Sequence, residues 1–134
     1  MEFFFESETN DSIARLEPQD VRIVELSAEP YLDGKRVRVN FAMTPFKIRP
    51  HLDVTLNDPD GEQVATVSII EPLNWKQEFT IHLRAERLDG NYKLSMRLFY
   101  PPPDEEDPKL FRLDIPVEDT DFRELEFEIA EGGE

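Results

Sequence analysis

The 134-residue sequence contains no cysteine, which excludes a disulfide framework, a cysteine-ligated metal or iron–sulfur centre and a cysteine nucleophile. Basic residues are scarce, because 15 Lys and Arg against 30 Asp and Glu give a formal net charge of −15. A domain that grips nucleic-acid backbone needs an excess of Lys and Arg, so we expect no nucleic-acid partner. At this length we expect one domain, since two would each have a small core.

Long apolar runs are also missing. Near the start, residues 3–5 are three phenylalanines between two glutamates, whereas a secretory signal needs basic residues followed by a longer apolar stretch. Later stretches fall short of the roughly 18–20 apolar residues of a membrane helix. We therefore expect a soluble protein with no membrane partner. The lack of cysteine suits a reducing compartment, so we predict a cytoplasmic location.

The acidity is concentrated at the two ends of the chain. Residues 1–20 carry a net charge of −5, residues 21–100 carry zero and residues 101–134 carry −10. One interpretation is solubility and mutual repulsion between copies. The alternative is an acidic surface that docks a basic partner or a metal ion.

Apolar residues repeat with period two almost everywhere, which is typical of half-buried strands. Val37, Val39 and Phe41, for example, alternate with Arg36 and Arg38. Turns rich in Asp, Gly and Pro separate the apolar segments. The pattern predicts about eight strands, at residues 20–27, 35–44, 51–57, 63–70, 76–85, 91–100, 109–117 and 122–130.

Many short strands with frequent turns predict an all-β fold, an antiparallel sandwich of two sheets. We expect residues 20–130 to form this single domain. Residues 1–19 would be an acidic N-terminal segment, partly ordered or packed on the sandwich, and residues 131–134 a flexible acidic tail.

One motif resembles a known class of sandwich. Residues 88–96 read LDGNYKLSM, which resembles the start of strand F in immunoglobulin-like and fibronectin-type-III-like domains, where a Tyr after a Gly-containing turn hydrogen-bonds back to the preceding corner. Tyr92 would hold that role. Residues 58–62, DPDGE, resemble the hairpin after strand C in bacterial immunoglobulin-like modules.

The resemblance covers residues 20–117, with departures: there is no disulfide pair and no Trp in strand C, and the strand at 122–130 is additional. It implies a bacterial module with a fold shared by adhesins, enzyme accessory modules and chaperones. It implies no activity, because fold and function are separable.

Strands that reverse one after another would send successive loops to opposite ends of the sandwich. One end would gather acidic residues and glycines from the loops at 28–34, 58–62, 87–90 and 118–121. Calcium takes six to eight oxygen ligands, often from carboxylates on loops. A calcium site would use Asp33, Asp58, Asp60 and Asp89, with Glu118, Asp119 and Asp121 at the same end. The alternative is that these Asp residues only form turns.

The other end would gather apolar residues from the loops at 45–50, 71–75 and 101–108. These residues either plug the end of the core or form an exposed patch for an unknown protein partner. The patch would consist of Phe46, Ile48, Leu73, Trp75 and Tyr100. A third possibility is that Trp75 stacks against a sugar.

Catalysis has little support in the sequence. His51 and His82 are the only histidines, they fall in different predicted strands, and no motif ties a Ser or Thr to either. We therefore predict a non-catalytic module for protein interaction or structural support, with no cofactor unless calcium binds. The chain would be a monomer or a weak homodimer through an edge strand such as 109–117.

Overall fold

Seven strands account for almost all regular structure in the computed structural model, which describes residues 14–83, 89–107, 110–112 and 117–130. One short 3-10 helix, Pro18–Asp20, precedes the first strand. Among all the described residues, no helix is long and apolar enough to cross a bilayer. The strands are β1 Ile23–Pro30, β2 Arg36–Met43, β3 His51–Asn57, β4 Gln63–Ile70, β5 Lys76–His82, β6 Gly90–Phe99 and β7 Asp121–Ile129.

The strands form two antiparallel sheets, as predicted for an immunoglobulin-like sandwich. One sheet has the order β1-β2-β5 and the other the order β4-β3-β6-β7. The fourth strand pairs with the third, whereas in constant-type immunoglobulin domains it joins the sheet of the first two. β1 and β7 run beside each other where the two sheets meet.

The strand predicted at 109–117 is not present in the described residues. Residues 110–112 contribute one isolated bridge, between Pro103 and Phe111, and residues 109 and 113–116 lie outside the described part of the chain. β7 therefore follows β6 directly as its antiparallel neighbour. The connection between them begins and ends at the same end of the sandwich, which changes the predicted positions of the later loops.

The core lies between the two sheets and is built from one face of each strand. Alternate residues of β2, β3 and β6 point inward and are almost completely buried, as the period-two pattern predicts. Each large side chain contributes about 1.5–3 kcal/mol to folding by leaving water. The fully buried set includes Val37, Val39, Phe41, Leu52, Val54, Leu56, Leu94, Met96 and Leu98.

Tyr92, the residue of the immunoglobulin-like motif, is buried in this core with 3% of its surface exposed. Its ring stacks on Phe127 with 5.8 Å between centroids, and burial raises the pKa of its hydroxyl. The predicted hydrogen bond to the preceding corner falls on residues 84–88, which lie outside the described part of the chain.

The segment before β1 lies against the sandwich from residue 14 onward. Leu16 forms a parallel bridge with Phe46, and its N–H donates to the carbonyl of Pro45 at 3.0 Å. The Leu16 side chain packs on the core. The remaining parts of the predicted terminal segments, residues 1–13 and 131–134, lie outside the described residues.

Candidate functional site

Two of the five residues predicted to bind a partner pack at the end of the core. Phe46 is only 5% exposed, and its ring meets the half-buried Trp75 edge-on, with 5.9 Å between centroids. The backbone N–H of Met43 donates to the Trp75 carbonyl at 2.6 Å, which holds the β4–β5 loop against β2. The Arg15 guanidinium lies 5.6 Å from the Trp75 ring centroid. These contacts favour the interpretation that Phe46 and Trp75 plug the end of the core.

The other three members of the predicted patch divide into an anchor and two exposed side chains. The Tyr100 hydroxyl donates to the Ile48 carbonyl at 2.8 Å, which ties the exit of β6 to the β2–β3 loop. Burial raises the pKa of Tyr100 to about 12. Ile48 and Leu73 point to solvent, with 55% and 71% of their surfaces exposed.

Ile48 and Leu73 come from neighbouring loops at this end of the sandwich. The N–H of Glu71 donates to the Pro50 carbonyl at 3.1 Å, so the β2–β3 and β4–β5 loops meet there. Leu110, 57% exposed, lies in the β6–β7 connection of the same end. We call Ile48, Leu73 and Leu110 the apolar end. Acidic residues 104–107 belong to the same connection.

The four carboxylates predicted to bind calcium are not brought together as a metal site. Asp58 Oδ1 accepts the N–H groups of Asp60 and Glu62, both at 2.9 Å, as a turn-forming Asp does. Asp33 accepts the N–H of Lys35 at 2.8 Å and pairs with Arg36 at 3.0 Å. Backbone hydrogen bonding from Lys35 and the Arg36 guanidinium lower the pKa of Asp33.

Over the described residues, which include Asp89, no group of three or more His, Cys, Asp or Glu is arranged to hold a metal. Calcium binding stays a prediction. A calcium titration followed by NMR tests it directly. Shifts confined to the amides of Asp58, Asp60 and Asp89 would support an ion site there.

The expectation that residues 118–121 lie at the acidic end is wrong. Thr120 donates its N–H to the Leu98 carbonyl, and Asp121 pairs with Leu98, at the end of β6 opposite to Gly90. Asp119 and Asp121 therefore lie at the end that carries Tyr100. The error follows from the strand predicted at 109–117, which would have reversed the chain once more.

A polar network that the sequence analysis missed covers part of the outer face of the four-stranded sheet. Arg97, on β6, forms ion pairs with Asp53 on the neighbouring β3 and with Asp119 in the β6–β7 connection. Its guanidinium also donates to the Val117 carbonyl at 3.0 Å. Asp53 accepts a further hydrogen bond from the Ser68 hydroxyl of β4 at 2.9 Å. One arginine thus joins two strands to the returning chain.

Next to this network, His51 is buried although it points away from the main core. It is 4% exposed, and its ring lies 5.6 Å from Phe99 and 4.8 Å from Phe111, between centroids. His51 Nε2 has no hydrogen-bond partner among the described residues. Burial lowers the pKa of this imidazole.

His51, Asp53, Arg97 and Phe99 line a cavity of about 200 Å³ with residues of the β6–β7 connection. The His51 imidazole and the ion pair between Arg97 and Asp53 supply polar groups that can bind a water molecule or another small polar group there. The other histidine, His82, lies on β5 in the opposite sheet, so the two histidines do not form one site.

The sequence contains a partial signal for this second buried region. His51 and Asp53 occupy alternate positions of one strand, and Arg97 and Phe99 occupy alternate positions of another. Period two places each pair on one face. That β3 and β6 are neighbours, and that the β6–β7 connection folds over them, is not encoded in any local pattern.

Comparison with known proteins identifies the fold but no family. No family model matches the sequence, and no curated protein matches it. Among solved structures, the chain is similar to Bifidobacterium dentium β-glucuronidase, with 14% identity, a TM-score of 0.58 and coverage of 82% of this chain and 18% of the other.

Two further structures extend this likeness. A family 76 glycoside hydrolase from a bovine Bacteroides thetaiotaomicron strain has 12% identity, a TM-score of 0.53 and coverage of 80% and 20%. A Parabacteroides merdae β-glucuronidase has 13% identity, a TM-score of 0.50 and coverage of 81% and 13%. The chain therefore spans a fifth or less of each of these proteins. At such identities the likeness concerns the sandwich fold.

Proposed function

We propose that this chain is a non-catalytic immunoglobulin-like or fibronectin-type-III-like module that binds a protein surface through its apolar end. The observation that carries the proposal is the exposure of Ile48 and Leu73, at 55% and 71%, on two loops fixed to each other and to β6. Rigid exposed apolar groups are what a partner surface can bury without a large cost in chain ordering.

The chemistry of the apolar end favours one kind of partner. Residues 104–107 are all acidic, and the backbones of Asp104 and Asp107 hydrogen-bond to Leu110 of the apolar end. The complementary surface would therefore be apolar at its centre and basic at its edge. In the similar solved chains, which are glycosidases by their descriptions, the matched part is a small fraction of the whole. An accessory role beside an enzyme domain, in the same chain or a separate one, is consistent with that proportion.

Site-specific photo-crosslinking tests the proposal. A photoreactive residue at position 73 should yield a discrete protein adduct in the native host. The adduct should be lost when Ile48→Asp is added. The matched control is position 32, because Leu32 is 91% exposed in the β1–β2 loop at the opposite end. Equal adducts from both positions, or none from position 73, would overturn the proposal.

A further inference from the structure

The four outer strands of the two sheets differ in how their open edges are protected. β1 carries Glu25, Glu29 and Pro30, with an irregularity at its start, and β5 carries Lys76 and Glu78. β7 has charges at most of its positions. Charges, prolines and bulges are the usual means by which an edge strand is kept from pairing with another chain.

β4 has almost none of this protection. Its sequence, QVATVSII, contains no charged residue and no proline over eight positions. A register shift opposite Leu56 and Asn57 affects only its start, and residues 65–70 pair regularly with β3. The Thr66, Ser68 and Ile70 side chains are exposed, with Ile70 at 58%. β4 is thus the one edge, among the strands that the structure describes, without a charged side chain.

The direction of the backbone groups on β4 follows from one hydrogen bond. The N–H of Glu71 donates to Pro50, on the side of β3. In an antiparallel strand the backbone groups of successive residues point alternately to the two sides. The N–H and C=O groups of Thr66, Ser68 and Ile70 therefore face the side of β4 on which no described strand pairs with it.

We propose that this edge binds the β4 strand of a second copy of the chain, antiparallel and centred on Val67. This register places Thr66 opposite Ser68, so that both residues of each pair direct their backbone groups to the other strand and their hydroxyls lie side by side. It places Ala65 opposite Ile69. The regularly paired residues 65–69 carry no charge, so no like charges face each other there.

A second copy suits this edge because the strand is complementary to itself in that register. A register centred one residue earlier would place Ser68, Ile69 and Ile70 opposite residues 62–64, where the pairing of β4 is irregular. The proposed dimer has a continuous eight-stranded sheet and a closed two-fold interface. It uses a different edge from residues 109–117, the edge expected from the sequence, and it does not involve Ile48 or Leu110 of the apolar end.

Two net charges of −15 oppose the association at long range, and salt screens that repulsion. Sedimentation velocity over a concentration series should therefore give a mass rising from 15.7 kDa towards about twice that value. The dimer should strengthen in about 1 M NaCl, where the screening length is about 3 Å. A monomer at all concentrations and both salt levels would overturn the proposal.

A pair of charge variants tests the proposed register directly. In T66E/S68E, the carboxylate introduced at position 66 of each copy faces the one introduced at position 68 of the other, and we expect the dimer to be at least about tenfold weaker. In T66K/S68E, an ammonium group at position 66 faces the carboxylate at position 68, and the dimer should return. Both variants share the loss of the Ser68–Asp53 hydrogen bond, so a difference between them cannot come from that loss.

The control I48D changes the apolar end at the β2–β3 loop, outside the paired strands, and should leave the dimer unchanged; loss of dimer in this variant would instead place self-association at the apolar end. A wild-type dimer that T66E/S68E leaves intact would also reject the β4 interface. Protection of the Thr66 and Ser68 amides by a foreign strand, without any dimer, would show that the edge serves a different partner and would overturn the choice of a second copy.

Discussion

The Asp121 carboxylate accepts a hydrogen bond at 2.8 Å from the backbone N–H of Ile23, which lies 98 positions earlier in the sequence. Ile23 begins β1 in one sheet, and Asp121 begins β7 in the other. Asp121 also accepts the N–H of Phe122 through its other oxygen. A single carboxylate therefore closes the sandwich at the seam where its two sheets meet.

Replacement of Asp121 by Ala should weaken that seam. A hydrogen bond to a charged group contributes about 1.5–3 kcal/mol, and we expect Asp121→Ala to lower the free energy of unfolding by that amount. Urea denaturation measures it. Glu128→Ala, on the solvent face of the same strand, is the control and should stay within about 0.5 kcal/mol of wild type. Equal effects of the two substitutions would show that the hydrogen bond between Asp121 and Ile23 does not contribute to the free energy of unfolding.

Arg97 should be irreplaceable by Lys. Arg97→Ala removes bonds to Asp53, Asp119 and the Val117 carbonyl, and we expect a loss of about 1–3 kcal/mol. Lys is a point charge and cannot span the three acceptors, so Arg97→Lys should recover only part of the loss. Hydrogen exchange at Thr120, which donates to Leu98, should speed up in both variants.

The comparison for Arg97 is Arg38, whose ion pair with Glu78 is exposed. Arg38→Ala should have a clearly smaller effect, because exposed pairs are screened by water. Full stability of Arg97→Lys would contradict the tethering role of Arg97.

His51 should make stability depend on pH. Burial holds its folded-state pKa below the ordinary value of 6.5, so the unfolded chain takes up the proton more readily. The stability from a neutral His51 is complete above pH 6.5 and is lost as pH falls from 6.5 towards the folded-state pKa, at most about 1.4 kcal/mol per pH unit.

Urea denaturation between pH 5 and 8 measures this dependence. His51→Phe should flatten the curve in that window. An unaltered slope in His51→Phe would contradict the assignment.

Gly90 and Gly61 form a matched pair of backbone tests. Both have positive φ, +124° and +87°, which strains any residue with a side chain. A Cβ at Gly90 would lie 2.5 Å from Pro59 Cγ, whereas a Cβ at Gly61 meets nothing within 4 Å. Gly61→Ala should cost about 1–2 kcal/mol and Gly90→Ala clearly more, since it must also displace the β3–β4 turn. Thermal unfolding of both variants measures the two losses of stability. Equal losses would mean that the β3–β4 turn can shift without a cost in stability.

Much of the fold could be predicted because period-two alternation is a local property. Successive side chains of a strand point to opposite faces of the sheet. The core therefore receives Val37, Val39 and Phe41, while Arg36 and Arg38 face water. The outward charge of Arg38 pairs with Glu78 on the adjacent strand, a partner that alternation along one strand does not identify. The apolar end was partly predictable in the same way, since Ile48 and Leu73 lie in loops between recognisable strands.

The pattern by itself thus determined which segments are extended and which face of each is apolar. Only the tertiary structure decided that Asp121 reaches Ile23, that Phe46 and Trp75 turn inward, and that His51 is buried on the outer side of a sheet. Alternation specifies a side chain's direction relative to its own strand. It carries no information on which strand lies alongside or where a long connection crosses, because those depend on packing between residues far apart in the chain.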